Sequence, residues 1–472
     1  MRSERDIFGV SRRNFLASLV GSAAWAALPR SVRAAGVEAL PKVLADYLEA
    51  VVQDLNGVAS DYPEGFFFVT DIHNPSNYGH SGRMIAALAS RTGLWKTFCG
   101  GDLPGAYKQE GRTAREEALW AWQTYQEGWI DPICRAGGVV YTARGNHDLS
   151  VRDSSIRTTG ATISAEETMA LFRLSHRRPF AVSNAADPTA CYFYRDVPAA
   201  RIRYVVADSS DMVSSDLSEG WGVRYGIRGT QLVWLADVAF GTLPDGWDVV
   251  VIQHIPPAPI VTDCSGEEPS LRNFRLLTEA FQNRGRFTFG ERVWDFSAAK
   301  GRVLLHLSGH EHADRWSHWN GIPYVTVACD ARYSDYIKWS PYCGDLPKKS
   351  PLDIFSQTFD AVRISDDHET ILLQRIGGGQ DRLLHTRVRK VSAGESLRLS
   401  ARSLQDPTWI QYDGDQVKQN ANVTDPADYC TFFHDHAMVD ATGLVKGLMP
   451  GSSMVFAHDS DYRKEMYCVE TV

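Results

Sequence analysis

GGVVYTARGNHD, residues 137–148, sets a short apolar run between a glycine pair and a loop that opens on Asn146, His147 and Asp148. The run is short and rich in β-branched and aromatic residues, so it reads as a strand buried on both faces. Four more segments repeat the pattern: GFFFVTDIH (65–73), LWKTFCGGD (94–102), WDVVVIQHIPP (247–257) and GRVLLHLSGHEH (301–312). Each is an apolar run followed by a loop bearing polar side chains. The loops supply Asp71 and His73, then Asp102, then Asn146, His147 and Asp148, then His254, then His310 and His312. All are oxygen or imidazole donors suited to a divalent metal, and no thiolate is among them.

Helix-like stretches separate these strands. SGRMIAALASRTG (81–93) has apolar residues at helical spacing and a terminal glycine, and RTAREEALWAWQTYQEGWIDPI (112–133) is acidic early with one apolar stripe. The alternation predicts a layered α/β domain. Later runs, RIRYVVADSS (201–210), IPYVTVACD (322–330), FDAVRISDD (359–367) and TILLQRIGG (370–378), follow one another closely and predict added antiparallel sheet. Cys99, Cys191 and Cys329 sit in such apolar contexts and read as core residues.

In order and approximate spacing, DIH, GGD, GNHD, the single His254 and GHEH resemble the motifs of the calcineurin-like metallophosphoesterases, from about Phe66 to His312 and, through the trailing β segments, to about Arg382. The fold this resemblance implies is an αββα sandwich of two mixed sheets, expected over residues 37–383, with the site at the strand ends. It also implies two divalent metal ions, manganese, iron or zinc. One would be held by Asp71, His73 and His312, the other by Asn146, His254 and His310, with the carboxylate of Asp102 serving both. His147 would protonate the leaving group, and Asn146 would also touch substrate. The family commonly places a second aspartate three residues after the bridging one to support that histidine. This chain has Gly105 there, so the support for His147 is either absent or supplied from elsewhere, with Asp148 as a candidate. The purple acid phosphatases fit less well, because Tyr107 lies two residues beyond the place of their tyrosine ligand.

Around this centre the sequence is less specific. Loop residues His80, Arg224 and Tyr225 are candidate substrate contacts. At the N-terminus, SRRNFL, with Arg12 and Arg13, precedes a short apolar run and small residues up to Ala34; it resembles a bacterial twin-arginine export signal over residues 1–34, implying the export machinery as a partner and a periplasmic or extracellular location. No later run approaches the roughly 20 apolar residues of a membrane span. The chain carries a net charge of −8, poorly suited to gripping a nucleic acid.

From residue 384 to 472 the pattern changes to short alternating strands with turn signals, an all-β sandwich. VDATGLVKGLMPGSSMVF (439–456) resembles the group-two bacterial immunoglobulin-like modules, which implies contacts with envelope or glycans. There Cys430 and Cys468 are expected to pair, as Cys264 and Cys343 are upstream, while His434 and His436 read as a solvated strand face. Two functions compete: an exported hydrolase of small-molecule or envelope-derived phosphate esters, diesters slightly favoured, or a non-catalytic envelope-binding protein that keeps the fold.

Overall fold

The computed structural model describes residues 40–73, 78–103, 114–148, 169, 180–187, 189–211, 226–257, 269–312, 314–330, 354, 357–413, 436–460 and 463–472. The export segment, Gly105, Tyr107, Arg224, Tyr225, Cys264, Cys343, Cys430 and His434 lie outside them.

Three of the five apolar runs become β1 (Glu64–Val69), β2 (Lys96–Cys99) and β3 (Val139–Thr142), paired in parallel. A second group follows: β4 (Ala181–Ser183), β5 (Phe193–Val197), β6 (Ile202–Val206) and β7 (Asp248–Ile252), the fourth run. After a small hairpin, β8 (Arg286–Phe289) and β9 (Arg292–Asp295), the fifth run becomes β10 (Val303–Ser308), leading to β11 (Arg315–Trp319) and β12 (Ile322–Thr326). Then β13 (Thr358–Ile364), β14 (Thr370–Gly377) and β15 (Arg382–Val391) return to the first sheet, β13 lying antiparallel against β1. The second sheet has the order β11-β12-β10-β7-β6-β5-β4, with β6, β7, β10 and β12 parallel.

The run Phe66-Phe67-Phe68-Val69 shows why the strands carry unbroken apolar sequence. Phe66 and Phe68 enter the core between the sheets, against Tyr204, Ile252 and Leu305, while Phe67 and Val69 enter a core under the helices. Fully burying each such side chain is worth roughly 1.5–3 kcal/mol. The outer face of the first sheet is covered by α1 (Lys42–Gly57), α2 (Tyr78–Thr92) and α3 (Ala114–Tyr125), which runs through a π-helical turn into α4 (Asp131–Arg135). That of the second is covered by α5 (Gly229–Trp234) and α6 (Pro269–Gln282). The architecture is the expected helix–sheet–sheet–helix sandwich of two mixed sheets. No described helix is long and apolar enough to cross a membrane.

The C-terminal region is all-β, but it is not set apart as the expected boundary at residue 384 implies, since that boundary falls inside β15. Its strands are β16 (Ser396–Arg398), β17 (Thr408–Asp413), β18 (Ala437–Val439), β19 (Leu444–Gly447), β20 (Gly451–His458) and β21 (Lys464–Thr471). Three of them prolong the first sheet in the order β17-β20-β21-β15-β14-β13-β1-β2-β3, while β16, β19 and β18 make a small separate sheet. Alternation decides both contacts. Met454, Phe456, Met466 and Cys468 point into the core between the large sheets; Val455, Tyr467 and Val469 point into a smaller core with Leu399, Ala437 and Val445. The small β-sandwich thus shares one layer with the main body. His436 is a correction to the solvated face expected for it: the ring is buried against Gly451. Cys99, Cys191 and Cys329 are buried as expected.

Candidate metal centre

Because β1, β2, β3, β7 and β10 run the same way within their sheets, their trailing loops gather at one edge, and backbone hydrogen bonds fasten them together. Asp71 N–H donates to Gly101 O (3.0 Å), His73 N–H to Asp102 O (3.2 Å) and Gly309 N–H to His254 O (3.0 Å). Glycine is required where loops touch: a Cβ on Gly145 would lie 2.1 Å from Asp102 Oδ1, and one on Gly309 would lie 1.9 Å from Thr70 Oγ1. Five non-glycine residues here adopt left-handed backbone: Asp71 (φ 54°), His73 (50°), Asp102 (53°), His310 (71°) and His312 (56°). Such strain costs on the order of 1–3 kcal/mol per residue and gathers at functional sites, where the surroundings enforce it.

Two overlapping clusters result. Ligand atoms of Asp71, His73, Asp102 and His312 lie within 4.8 Å of one another, as do those of Asp102, His254 and His310, so Asp102 belongs to both. Asn146 joins the second cluster, its Oδ1 lying 2.9 Å from His254 Nε2 and 3.0 Å from His310 Nδ1. In the first, His73 and His312 bring their Nε2 atoms to 2.8 Å, with Asp71 Oδ1 at 3.4 and 3.2 Å from them.

The donor set fits divalent cations. Asp71 Oδ1 is buried without a hydrogen-bond partner, an acceptor facing the centre of the first cluster. His254 Nδ1 lies 2.7 Å from Gly100 O, an oxygen that can only accept, so this nitrogen carries the proton and Nε2 faces Asp102 and Asn146. Burial by itself lowers the basicity of His254, but Asp102, helped by Asp71 and the Gly100 carbonyl, raises it to about 10. A field that draws a proton to Nε2 draws a cation to the same place. Burial would raise the carboxyls of Asp71 and Asp102, yet the surrounding imidazoles hold both well below the usual carboxylate range.

His147 takes no part in either cluster. Its backbone N–H donates to Asp102 Oδ1 (2.7 Å), its Nε2 lies 3.9 Å from Asp102 Oδ2, and its ring stands edge-on to His73 at 5.0 Å. Its side chain is 23 % exposed, open to a substrate. Burial, with the nearby histidines, lowers it to about 4 against the pull of Asp102.

Asp148, the alternative support for His147, does something else. Its Oδ1 accepts from Leu103 N–H (2.8 Å) and its Oδ2 from Gly145 N–H (2.7 Å) and Asp102 N–H (3.2 Å), so it knits the two loops together. Burial and the charge of Asp102 raise its carboxyl to about 7. Beneath the same loop Arg144 is buried with its guanidinium on Asp208 and Ser210 O, a brace that no local motif announces. His80 belongs to the first turn of α2, not to a loop. Ser81 beside it donates its backbone N–H to Gln357 Oε1 and accepts the Trp129 indole N–H at its hydroxyl, and the helix begins at Tyr78, earlier than its apolar spacing predicts.

Residues 66–314 match the family profile described as Calcineurin-like phosphoesterase. No curated protein matches in sequence. Among solved structures, the chain is similar to a dimetal phosphatase from Danio rerio at 13% identity and TM-score 0.43, with 68% of this chain and 99% of that one covered. It is also similar to GAP50, the anchor in the inner membrane complex of Plasmodium, at 10% identity and TM-score 0.35, with 66% and 84% covered.

Proposed function

The chain belongs to the calcineurin-like phosphoesterases, and on that premise we propose that it is an exported hydrolase of phosphate esters, diesters slightly favoured over monoesters, working with two divalent metal ions. The observation that carries this reading is the place of Asp102 in both ligand clusters. Asp71, His73 and His312 would hold one ion, Asn146, His254 and His310 the other, and Asp102 both. A bound pair of divalent cations supplies Lewis-acid charge and acidifies a water near neutral pH. The chain's own residues do the rest. Gly100 O fixes the His254 tautomer, and Asp148 and Gly145 keep Asp102 and Asn146 in register. His147, partly exposed beside the clusters, is placed to reach the departing oxygen; because burial lowers it to about 4, it would serve as the acid only once the negative charge of a bound phosphate restores its proton.

Export rests on SRRNFL with the apolar run and small residues that follow it; Arg12 and Arg13 changed together to lysine should leave the protein in the cytoplasm, as cell fractionation reads, and normal export would refute it. The catalytic reading is tested by loading purified protein with manganese and offering a chromogenic phosphodiester and monoester. Turnover of the diester in preference is expected. Turnover of neither, with two ions bound, would favour the envelope-binding alternative.

A further inference from the structure

Among the charged side chains buried away from the ligand clusters, Asp314, Asp360, Arg375 and Arg382 form one connected group. Asp314 Oδ1 accepts from Arg375 Nη2 and Arg382 Nη1, both at 2.6 Å, and from Ala328 N–H at 3.0 Å. Asp360 Oδ1 accepts from Arg375 Nε at 2.8 Å and from Arg382 Nη2. Arg375 spends its remaining Nη1 on Gly378 O, and its backbone N–H donates to Asp381 Oδ1. Buried ion quartets of this kind are weak devices for stability, because desolvation offsets their attraction; the forked bonds of their arginines are nonetheless directional.

The geometry fixed here spans the two sheets. Asp314 stands two residues beyond His312, immediately before β11 of the second sheet. Asp360 lies in β13 directly opposite Phe68 of β1, three residues before Asp71. The first ligand cluster draws Asp71, His73 and Asp102 from the first sheet and His312 from the second, so its dimensions depend on how those loops are held across the gap. His310 and His254 have separate tethers, at Asp71 Oδ2 (2.9 Å from His310 N) and at Gly100 O.

We propose that Asp314, with Arg375 and Arg382, acts as a positioning residue for the His312 half of the metal centre, leaving the His254–His310–Asn146 half independent of it. Arg382 opens β15 and pairs in register with Lys464 of β21, so the same quartet ties the occupancy of that half to the C-terminal strands. The inference rests on the two-metal reading above.

The test uses the full chain and manganese alone, counting bound ions after dialysis and reading the spin coupling between them by electron paramagnetic resonance. Two variants serve: Asp314→Asn, and Arg382→Lys, which keeps the charge but loses the fork that reaches both carboxylates. Where Asp314→Asn does not fold, Arg382→Lys carries the test. Each folded variant should keep one ion at wild-type affinity, bind the other about 10–100-fold more weakly, the loss usual for supports behind metal ligands, and replace the coupled signal by that of an isolated ion. Two ions held at wild-type affinity, even with a lower melting temperature, would overturn the proposal by making the quartet purely structural. Equal weakening of both ions would overturn its selectivity. Wild-type protein that binds no coupled pair would refute the two-metal reading, and this inference with it.

Discussion

Asp102 differs from its neighbours because both of its oxygens are committed. Oδ1 accepts the His147 N–H at 2.7 Å, and Oδ2 lies 3.2 Å from His254 Nε2 and 3.7 Å from His73 Nε2, one imidazole from each cluster. Asp102→Asn removes the charge that serves both. Metal analysis should show the two ions lost together, by more than the ~10–100-fold typical of residues that only support a ligand, whereas His312→Ala should empty one site and leave the other filled. Two tightly bound ions in Asp102→Asn would show that another residue joins the sites. His147 calls for a different probe, since its side chain lies outside both clusters. His147→Ala should keep both ions and lose on the order of 10²–10⁴-fold in turnover of an alkyl ester, whose alkoxide needs a proton, but far less for a nitrophenyl ester. Equal losses on the two substrates would assign the ring to charge stabilisation or positioning instead. The contrast also gauges the missing aspartate at Gly105, because nothing in the contacts of Asp148 turns it toward supporting the ring.

Among the elements, the strands that carry the centre were legible because burial on both faces leaves a continuous apolar run, and because their loops are written in ligand residues beside obligatory glycines. The left-handed backbone of Asp71, His73, Asp102, His310 and His312 had no such signature, since residue type says little about φ outside glycine. Nor did the Arg144–Asp208 and Arg375–Asp314 braces, whose partners are 64 and 61 positions apart in the chain and meet only through the topology. The C-terminal strands show a subtler limit. A period of two marks a strand but not the sheet that will claim it, and β21 lies beside β15 in parallel, not within a sheet of its own. That junction contains a pH-sensitive contact. Glu465 of β21 receives Ser403 N–H at 2.7 Å and the Tyr467 hydroxyl at 2.5 Å, with His385 Nε2 of β15 at 3.4 Å. Burial alone would raise this carboxyl, but bonds from His385, Ser403 and Tyr467 bring it down to about 2 from an ordinary 4.5. A carboxyl depressed in the folded state stabilises it above its unfolded pKa and loses that contribution as pH falls toward the folded one. Urea midpoints should therefore drop between about pH 5 and 2 more steeply in the wild type than in Glu465→Gln. Parallel curves would mean that the contact does not feel the acid transition.

For the whole molecule, the question is whether the first sheet can end where the sequence pattern changes. Severing the chain after residue 383 removes nearly all of β15 together with β20 and β21. It also strips Met454, Phe456, Met466 and Cys468 from the core between the sheets and takes Phe456 off Trp316, whose rings meet edge-on at 5.7 Å. At roughly 1.5–3 kcal/mol for each large apolar side chain, the loss approaches the whole 5–15 kcal/mol by which a domain is usually stable. Arg382 would remain, but its backbone would lose the strand that pairs with it from Lys464 onward. The truncated protein is therefore expected to be insoluble or to lack a cooperative thermal transition, unlike a catalytic body released from an independent module. Solubility, circular dichroism and manganese binding of the 1–383 chain measure this directly. A cooperative melt with two bound ions would show that the C-terminal strands only lean on the sandwich. A chain that folds when cut within the turn after Val391, yet binds a single ion, would place the role of those strands at the metal centre more than in the core.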